Sequence, residues 1–171
     1  MTSMDLDYDT INEYIRRSHP QSVIMIGCDS VRKEVRGKAE ARYATVVCIR
    51  NASGSGDDIM YHGCKVFGAT ATLPDYGKVI KSGKLANLKV RLMQEVTYVL
   101  EAFEHVYEAI GDRPFEIHLD INGRPDAESH VALQEARGYV MGVTGGIAPE
   151  FKPNALAASF AADMWAHGYL N

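Results

Sequence analysis

Residues 23–30 read VIMIGCDS, an apolar run that ends in an acidic and a hydroxyl side chain. A run with so little polar alternation is typical of a central strand that is covered on both faces. Asp29 therefore stands at the end of a strand that we expect the core to bury. This stretch predicts an α/β sheet with helices on both faces and a carboxylate near its centre.

The segments on either side predict the remaining elements. A polar turn at 51–58 joins two strand-like runs, and so short a connection is typical of an antiparallel hairpin. We expect helices at 10–17, 85–110, about 127–141 and 155–167, and strands at 43–49, 59–67, 115–121 and about 147–152. This order predicts one domain over residues 1–171, with a mixed five-stranded sheet whose first three strands are antiparallel.

Composition restricts the class of protein. The chain has 171 residues, of which 46% are hydrophobic and 23% charged, and these values argue against a disordered, fibrous or membrane-spanning chain. The three cysteines (Cys28, Cys48 and Cys64) show no C-x-x-C spacing, and the N-terminus lacks the layout of a signal peptide. We therefore expect free thiols and a cytoplasmic location.

Charge is distributed unevenly along the chain. Residues 16–91 contain fourteen Lys or Arg and six Asp or Glu, whereas residues 92–171 contain four and twelve. Such asymmetry is compatible with a face that binds a polyanion, and equally with two solvated surfaces of opposite sign.

Four acids lie where apolar patterns predict the core. Besides Asp29, Asp120 lies within a strand, where alternation places His118, Asp120 and Asn122 on one side. Glu95 falls on the shoulder of the apolar stripe of the long helix.

The fourth acid, Asp163, lies in the last helix. It has the same relation to an apolar stripe there, which we expect to face the core and which consists of Leu156, Phe160 and Met164. Asp163 also stacks with Ser159 and His167 along one edge of that helix.

A single acid at such a position more often has a structural than a functional role. Four acids that can lie close together in the fold indicate a metal site. Clustered carboxylates repel one another and are stabilised by hard cations, and oxygen ligands suit Mg²⁺ or Mn²⁺. Two such ions about 4 Å apart promote the hydrolysis of phosphodiester bonds.

Three segments, residues 26–30, 116–122 and 152–163, resemble the YkuK-like group of predicted ribonuclease H-like nucleases. The resemblance extends from about residue 23 to residue 167. It implies the ribonuclease H-like fold and a metal-dependent nuclease activity.

The resemblance also implies roles for the four acids. It implies that Asp29 bridges two metal ions, that Glu95 and Asp120 bind one of them, and that Asp163 binds the other. His118 and His167 are further catalytic candidates, because histidines beside a metal site can assist proton transfer.

Other polar residues near the acids are candidates for binding substrate. They are Ser30, Arg32, Lys33, Lys84, Asn122 and Lys152.

The sequence thus predicts a nuclease that uses two Mg²⁺ or Mn²⁺ ions and acts on RNA, an RNA–DNA hybrid or structured DNA. Two alternatives stay open: a binding module of the same fold without turnover, and a metal-dependent phosphatase. The second alternative leaves the basic segments without a role.

Overall fold

The computed structural model describes residues 4–74 and 84–168, without the side chains of residues 84–87 and 158–159. In chain order its main elements are α1 (Tyr8–Arg17), β1 (Val23–Val35), β2 (Lys38–Ser53), β3 (Met60–Pro74), α2 (Lys84–Ile110), β4 (Phe115–Asn122), α3 (Leu133–Thr144), β5 (Glu150–Lys152) and α4 (Asp163–His167). A 3₁₀ turn, Glu128–Ala132, precedes α3, and a π-helical turn, Ala157–Ala162, runs directly into α4. Residues 157–167 are called the C-terminal segment below.

The described residues form one five-stranded sheet in the order β3-β2-β1-β4-β5. The pairs β1–β2 and β2–β3 are antiparallel, and the pairs β1–β4 and β4–β5 are parallel. The predicted mixed α/β sheet is therefore confirmed, with the strand that carries Asp29 at its centre and next to the strand that carries Asp120.

The first two strands extend well beyond the bounds that the sequence predicts. β1 and β2 pair as far as Val35 and Lys38, and the chain reverses through Arg36 and Gly37, both with positive φ (51° and 74°). A two-residue turn of this kind matches the twist of an antiparallel hairpin. Residues 32–40, called the hairpin arm below, are largely exposed and polar, so the apolar pattern did not include them.

Helices α1, α2 and α3 cover one face of the sheet and form the main core. On α2 the predicted stripe is buried: Leu92, Val96, Val99, Phe103, Val106 and Ile110 are each at most 5% exposed. They pack with alternate residues of the central strands, such as Ile24, Ile26, Ile117 and Leu119. No helix within the described residues has the length and apolar character needed to cross a membrane.

The C-terminal segment covers the opposite face with small side chains. Its Ala157 and Ala162 pack against Val46 and Cys48 of β2, and Trp165 lies over Gly68 of β3. A Cβ atom on Gly68 would be 2.4 Å from the Trp165 ring. The absence of a side chain at Gly68 therefore allows the segment to approach the sheet closely.

The expected apolar stripe of the last helix is wrong. Leu156, Phe160 and Met164 are 53%, 66% and 41% exposed, and Ala162 and Ala166 are buried instead. All three are exposed together, because the segment packs its alanines against β2 instead, and small side chains allow the close approach to the sheet. Helical spacing therefore did not show which face of this segment the sheet would cover.

Candidate functional site

Asp29 and Asp120 lie side by side on adjacent parallel strands. The register pairs Cys28 with Leu119, and both of these side chains are buried in the core. Because side chains alternate along a strand, the next residues, Asp29 and Asp120, point to the other face, towards the C-terminal segment. Strand pairing alone thus brings together the first two predicted acids.

The surroundings of Asp29 disfavour its ionised form. Burial, followed by the charge of Asp120 and then that of Asp163, raises the pKa of Asp29 to about 7. The backbone N–H of Ser30, which donates to Asp29 Oδ1 at 2.7 Å, acts in the opposite direction but does not compensate. Asp29 is therefore repelled by the negative charges of both Asp120 and Asp163.

Glu95 reaches the same strand end from the helical side of the sheet. It is only 4% exposed, and its Oε1 accepts a hydrogen bond of 2.5 Å from Ser30 Oγ. Burial raises the pKa of Glu95 well above its usual range, and the charges of Asp29 and Asp120 add to the rise. The structure therefore assigns Ser30, a predicted substrate contact, to holding Glu95 in place.

Lys152 supplies a positive charge within this acidic group. It lies on β5 opposite Asn122, and its Nζ is 2.5 Å from Asp120 Oδ1. Burial lowers the pKa of Lys152, but its hydrogen bond with Asp120 and the charges of Asp29 and Glu95 outweigh burial and raise the pKa above its ordinary value. The ammonium group thus partly neutralises the negative charge of Asp120, Asp29 and Glu95.

Asp163 and His167 lie at the rim of the site, on α4. Their side chains are about half exposed, and His167 Nδ1 is 3.1 Å from Asp163 Oδ1. The charge of Asp163 contributes to the raised pKa of Asp29. These two residues share the predicted helix edge, whereas the side chain of Ser159 lies outside the described residues.

His118 is buried and engaged at both ring nitrogens. Its Nε2 is 2.8 Å from Glu116 Oε2, and its Nδ1 accepts a hydrogen bond of 2.9 Å from the backbone N–H of Ala157. Both ring nitrogens of His118 are thus occupied by partners away from the solvent-exposed rim, and a role in proton transfer stays a prediction. His118 positions the start of the C-terminal segment against β4.

The other residues predicted to bind substrate do not lie together at the strand ends. Arg32 and Lys33 lie on the hairpin arm, on opposite faces of β1, and Lys33 is opposite Glu40 in the register. The side chain of Lys84 lies outside the described residues. Asn122 continues the face of Asp120, and its Oδ1 accepts a hydrogen bond of 3.0 Å from the Arg124 N–H.

A cleft of about 770 Å³ adjoins the acids on the side of β5. Its walls include Asn122, Arg124, Pro125, Lys152, Pro153 and Phe160. Sequence reasoning did not find this cleft, because Phe160 was placed in the core and because spacing along the chain does not show how the 122–125 turn and β5 lie together.

The donor chemistry at these strand ends fits a hard divalent cation. The candidate ligands are carboxylate oxygens that suppress one another's ionisation, and the Lys152 ammonium provides the compensating charge. Within residues 4–74 and 84–168, however, no three His, Cys, Asp or Glu side chains are grouped as a ready ligand set. A metal would therefore draw the acids closer together and compete with Lys152 for Asp120.

Comparison with known proteins identifies the family. A family model described as Ribonuclease H-like matches residues 8–167. Searches of curated proteins and of solved structures found no match. The match spans nearly the whole chain and agrees with the sheet order and with the resemblance found in the sequence, so this chain belongs to the ribonuclease H-like family.

Proposed function

We propose that the protein is a nuclease that uses Mg²⁺ or Mn²⁺ to hydrolyse phosphodiester bonds in RNA, RNA–DNA hybrids or structured DNA. The observation that carries this proposal is the cluster of Asp29, Glu95 and Asp120 at one strand end, where burial, followed by the charges of neighbouring acids, raises the pKa of Asp29 and of Glu95. Maintaining such a group costs stability unless the charged forms bind a cation. A catalytic metal site accounts for that cost.

The proposed ligands are Asp29, Glu95, Asp120 and Asp163, and together they would hold two ions. When bound, such ions activate a water molecule and stabilise the leaving oxygen. Ser30 orients Glu95, and its backbone N–H orients Asp29, so both carboxylates are held before any ligand arrives.

Two further groups would act on the substrate. The Lys152 ammonium, when a metal replaces it at Asp120, would neutralise a phosphate oxygen at the edge of the site. His167, at the solvent-exposed rim beside Asp163, would exchange a proton with the departing group. Both roles require the polar tips of these side chains to face the substrate, unlike the buried ring of His118.

The hairpin arm would bind the phosphate backbone next to the acids. It continues β1 directly beyond Asp29 and Ser30 and carries four basic residues, Arg32, Lys33, Arg36 and Lys38. Exposed Lys and Arg side chains bind phosphates without regard to sequence, with an affinity that falls as salt increases. A small phosphate ester would not reach this arm.

One observation favours a second candidate, a nucleic-acid-binding module without turnover. The Lys152 ammonium already neutralises Asp120, and the described acids do not form a ready ligand set. A permanent Lys152–Asp120 pair would satisfy the site without metal. The two candidates differ in whether divalent metal displaces that pair.

An activity panel distinguishes the candidates. Labelled RNA, an RNA–DNA hybrid, branched DNA and a simple phosphate ester are incubated with the protein, with and without Mn²⁺. The same panel is run with Asp29→Asn and with Asp112→Asn, a matched change at an exposed acid on the turn after α2.

We expect metal-dependent cleavage of at least one nucleic acid, loss of cleavage in Asp29→Asn by at least about a hundredfold, and normal cleavage in Asp112→Asn. The magnitude follows from the loss of charge stabilisation in the transition state. Binding without cleavage of any nucleic acid would favour the binding module, and hydrolysis of the ester alone would favour a phosphatase.

A further inference from the structure

The cleft beside the acid group has the composition of a binding site for a nucleobase. Its volume of about 770 Å³ is within the usual range for small-molecule sites. Phe160, Pro125 and Pro153 supply apolar surface, and Asn122, Arg124 and Lys152 supply polar groups. A flat apolar ring with polar edges, such as a base, matches this combination.

Phe160 is the most unusual part of the cleft. Its side chain is 66% exposed, although the same π-helical turn buries the small residues Ala157 and Ala162 against the sheet. An exposed phenyl ring at this position contributes little to the core. In proteins that bind single-stranded nucleic acid, bases commonly stack on accessible aromatic rings of this kind.

The cleft is continuous with the proposed catalytic acids. Lys152 both lines the cleft and contacts Asp120, and Asn122 lies two residues beyond Asp120 on the same face of β4. A nucleotide whose base enters the cleft would therefore place its phosphate beside the acid group. None of the four acids lines the cleft itself, and its link to them is Lys152; the cavity bounded by α1 and β2, whose lining includes Tyr14 and Asn51, does not include Lys152 or Asn122.

Two residues of the polar wall, Asn122 and Arg124, have partners within the turn that follows β4. Arg124 is held by Asp126 through two contacts, Nε to Oδ1 at 3.1 Å and Nη2 to Oδ2 at 2.6 Å. The backbone N–H of Arg124 in turn fixes the side-chain amide of Asn122. The hydrogen bond to Asn122 limits the conformations of its amide before a ligand binds, whereas the guanidinium of Arg124 lies at the solvent-exposed edge of the cleft.

We propose that this cleft binds one unpaired base of the substrate strand, stacked on Phe160, so that the enzyme acts on strands with a single-stranded segment at the site. The proposal rests on the proposed nuclease function. A base within a duplex has both faces covered by its neighbours, so only an unpaired base offers a face to Phe160. A fully paired substrate would bind through its backbone alone.

The test compares a fluorescent single-stranded oligonucleotide with a blunt duplex of the same sequence. Their affinities are measured with Asp29→Asn, which prevents turnover, in Mg²⁺, and again after adding Phe160→Ala, Phe160→Trp or Leu156→Ala. Leu156 is the matched control, because it is 53% exposed beside the same segment and does not line the cleft.

We expect Phe160→Ala to weaken single-strand binding by about tenfold, since the stacking of one base contributes roughly 1–3 kcal/mol. Phe160→Trp should retain binding, Leu156→Ala should leave it unchanged, and duplex affinity should be the same in all variants. Equal single-strand affinity in Phe160→Ala and its parent, or an equal loss for the duplex, would overturn the proposal.

The outcomes separate this inference from the nuclease proposal. Metal-dependent cleavage by the wild-type protein, together with unchanged binding in Phe160→Ala, would refute the base site alone. Phe160-dependent binding without cleavage would refute the nuclease and retain the base site in a binding module. Failure of the parent to bind any strand would refute both.

Discussion

Helix α2 and the C-terminal segment cover opposite faces of the same sheet in different ways. α2 buries a regular stripe of large side chains, and its Phe103 is only 4% exposed. The C-terminal segment buries alanines and leaves Phe160 66% exposed. α2 is thus held mainly by apolar burial, whereas the C-terminal segment is held by close approach to the sheet and by the hydrogen bond from the Ala157 N–H to His118.

The acids that these two elements provide differ in the same way. Glu95 on α2 is buried and accepts a hydrogen bond from Ser30, whereas Asp163 on α4 is half exposed and lies beside His167. The comparison indicates that the core side of the site is preformed. The C-terminal segment instead places Phe160, Asp163 and His167 where a substrate can reach them.

The sharpest test makes the same substitution in both elements. Phe103→Ala removes a ring that stacks on Phe115, with centroids 5.3 Å apart, and we expect it to cost about 3–5 kcal/mol of unfolding free energy. Phe160→Ala should change stability by less than about 0.5 kcal/mol. Denaturant unfolding measures both, and similar losses in the two variants would contradict the contrast.

Close packing of the C-terminal segment can be tested at Gly68. Gly68→Ala places a methyl group against the ring of Trp165, and overpacking of this kind costs about 1–3 kcal/mol. When Gly68→Ala is instead made in a Trp165→Ala parent, it should cost little stability relative to that parent, because the methyl group then has room. Gly138→Ala on α3, where nothing lies within 4 Å of the added atom, is the control and should not destabilise the protein.

Glu95 should make metal-free stability depend on pH. Burial raises the pKa of Glu95 in the folded protein above its value in the unfolded chain. The protonated carboxyl therefore contributes fully to the free energy of unfolding below the unfolded pKa, and this contribution is lost as pH rises through the folded pKa. We therefore expect Glu95→Gln to be more stable than wild type at pH 8, with a difference that shrinks towards pH 5. Thermal melts in a chelator measure this difference.

Two controls accompany the melts. Asp163→Asn, at a half-exposed acid, should change stability by about 0.5 kcal/mol or less. Adding Mg²⁺ or Mn²⁺ should raise the melting temperature of wild type more than that of Glu95→Gln, because the metal binds the ionised carboxylate. If the difference in stability between wild type and Glu95→Gln did not change with pH, the conclusion that burial raises the pKa of Glu95 would be wrong.

The smallest effect that we expect is a shift in the pKa of Cys64, on the face of the sheet that the C-terminal segment covers. Cys48 packs there, and its thiol donates a hydrogen bond to Cys64, which is the largest cause that lowers the pKa of Cys64 to about 7. Iodoacetamide should label Cys64 half-maximally near pH 7, and Cys48→Ala should move that midpoint to higher pH. Cys28→Ser is the control, because Cys28 is buried and its pKa is raised. An unchanged midpoint in Cys48→Ala would show that the two thiols do not interact.

Much of the site was predictable because strand patterns are local. The apolar run that ends at Asp29 and the alternation around Asp120 determine which way each carboxylate points. A parallel pairing of the two strands then brings the acids together. The same alternation correctly placed Asn122 beside Asp120, but it could not show that His118 is buried under Ala157, because the C-terminal segment that buries it is far away in the sequence.

The amino-acid sequence by itself determined the order of helices and strands, the buried stripe of α2 and the four acids that stand out from apolar patterns. Only the tertiary structure decided the extended hairpin arm, the pairing of Lys152 with Asp120 and the exposed Phe160 cleft. Hydrophobic periodicity records which side chains avoid water in a regular element. It does not record the pairing of a three-residue strand or a close approach over Gly68, because both depend on contacts between residues that are distant along the chain.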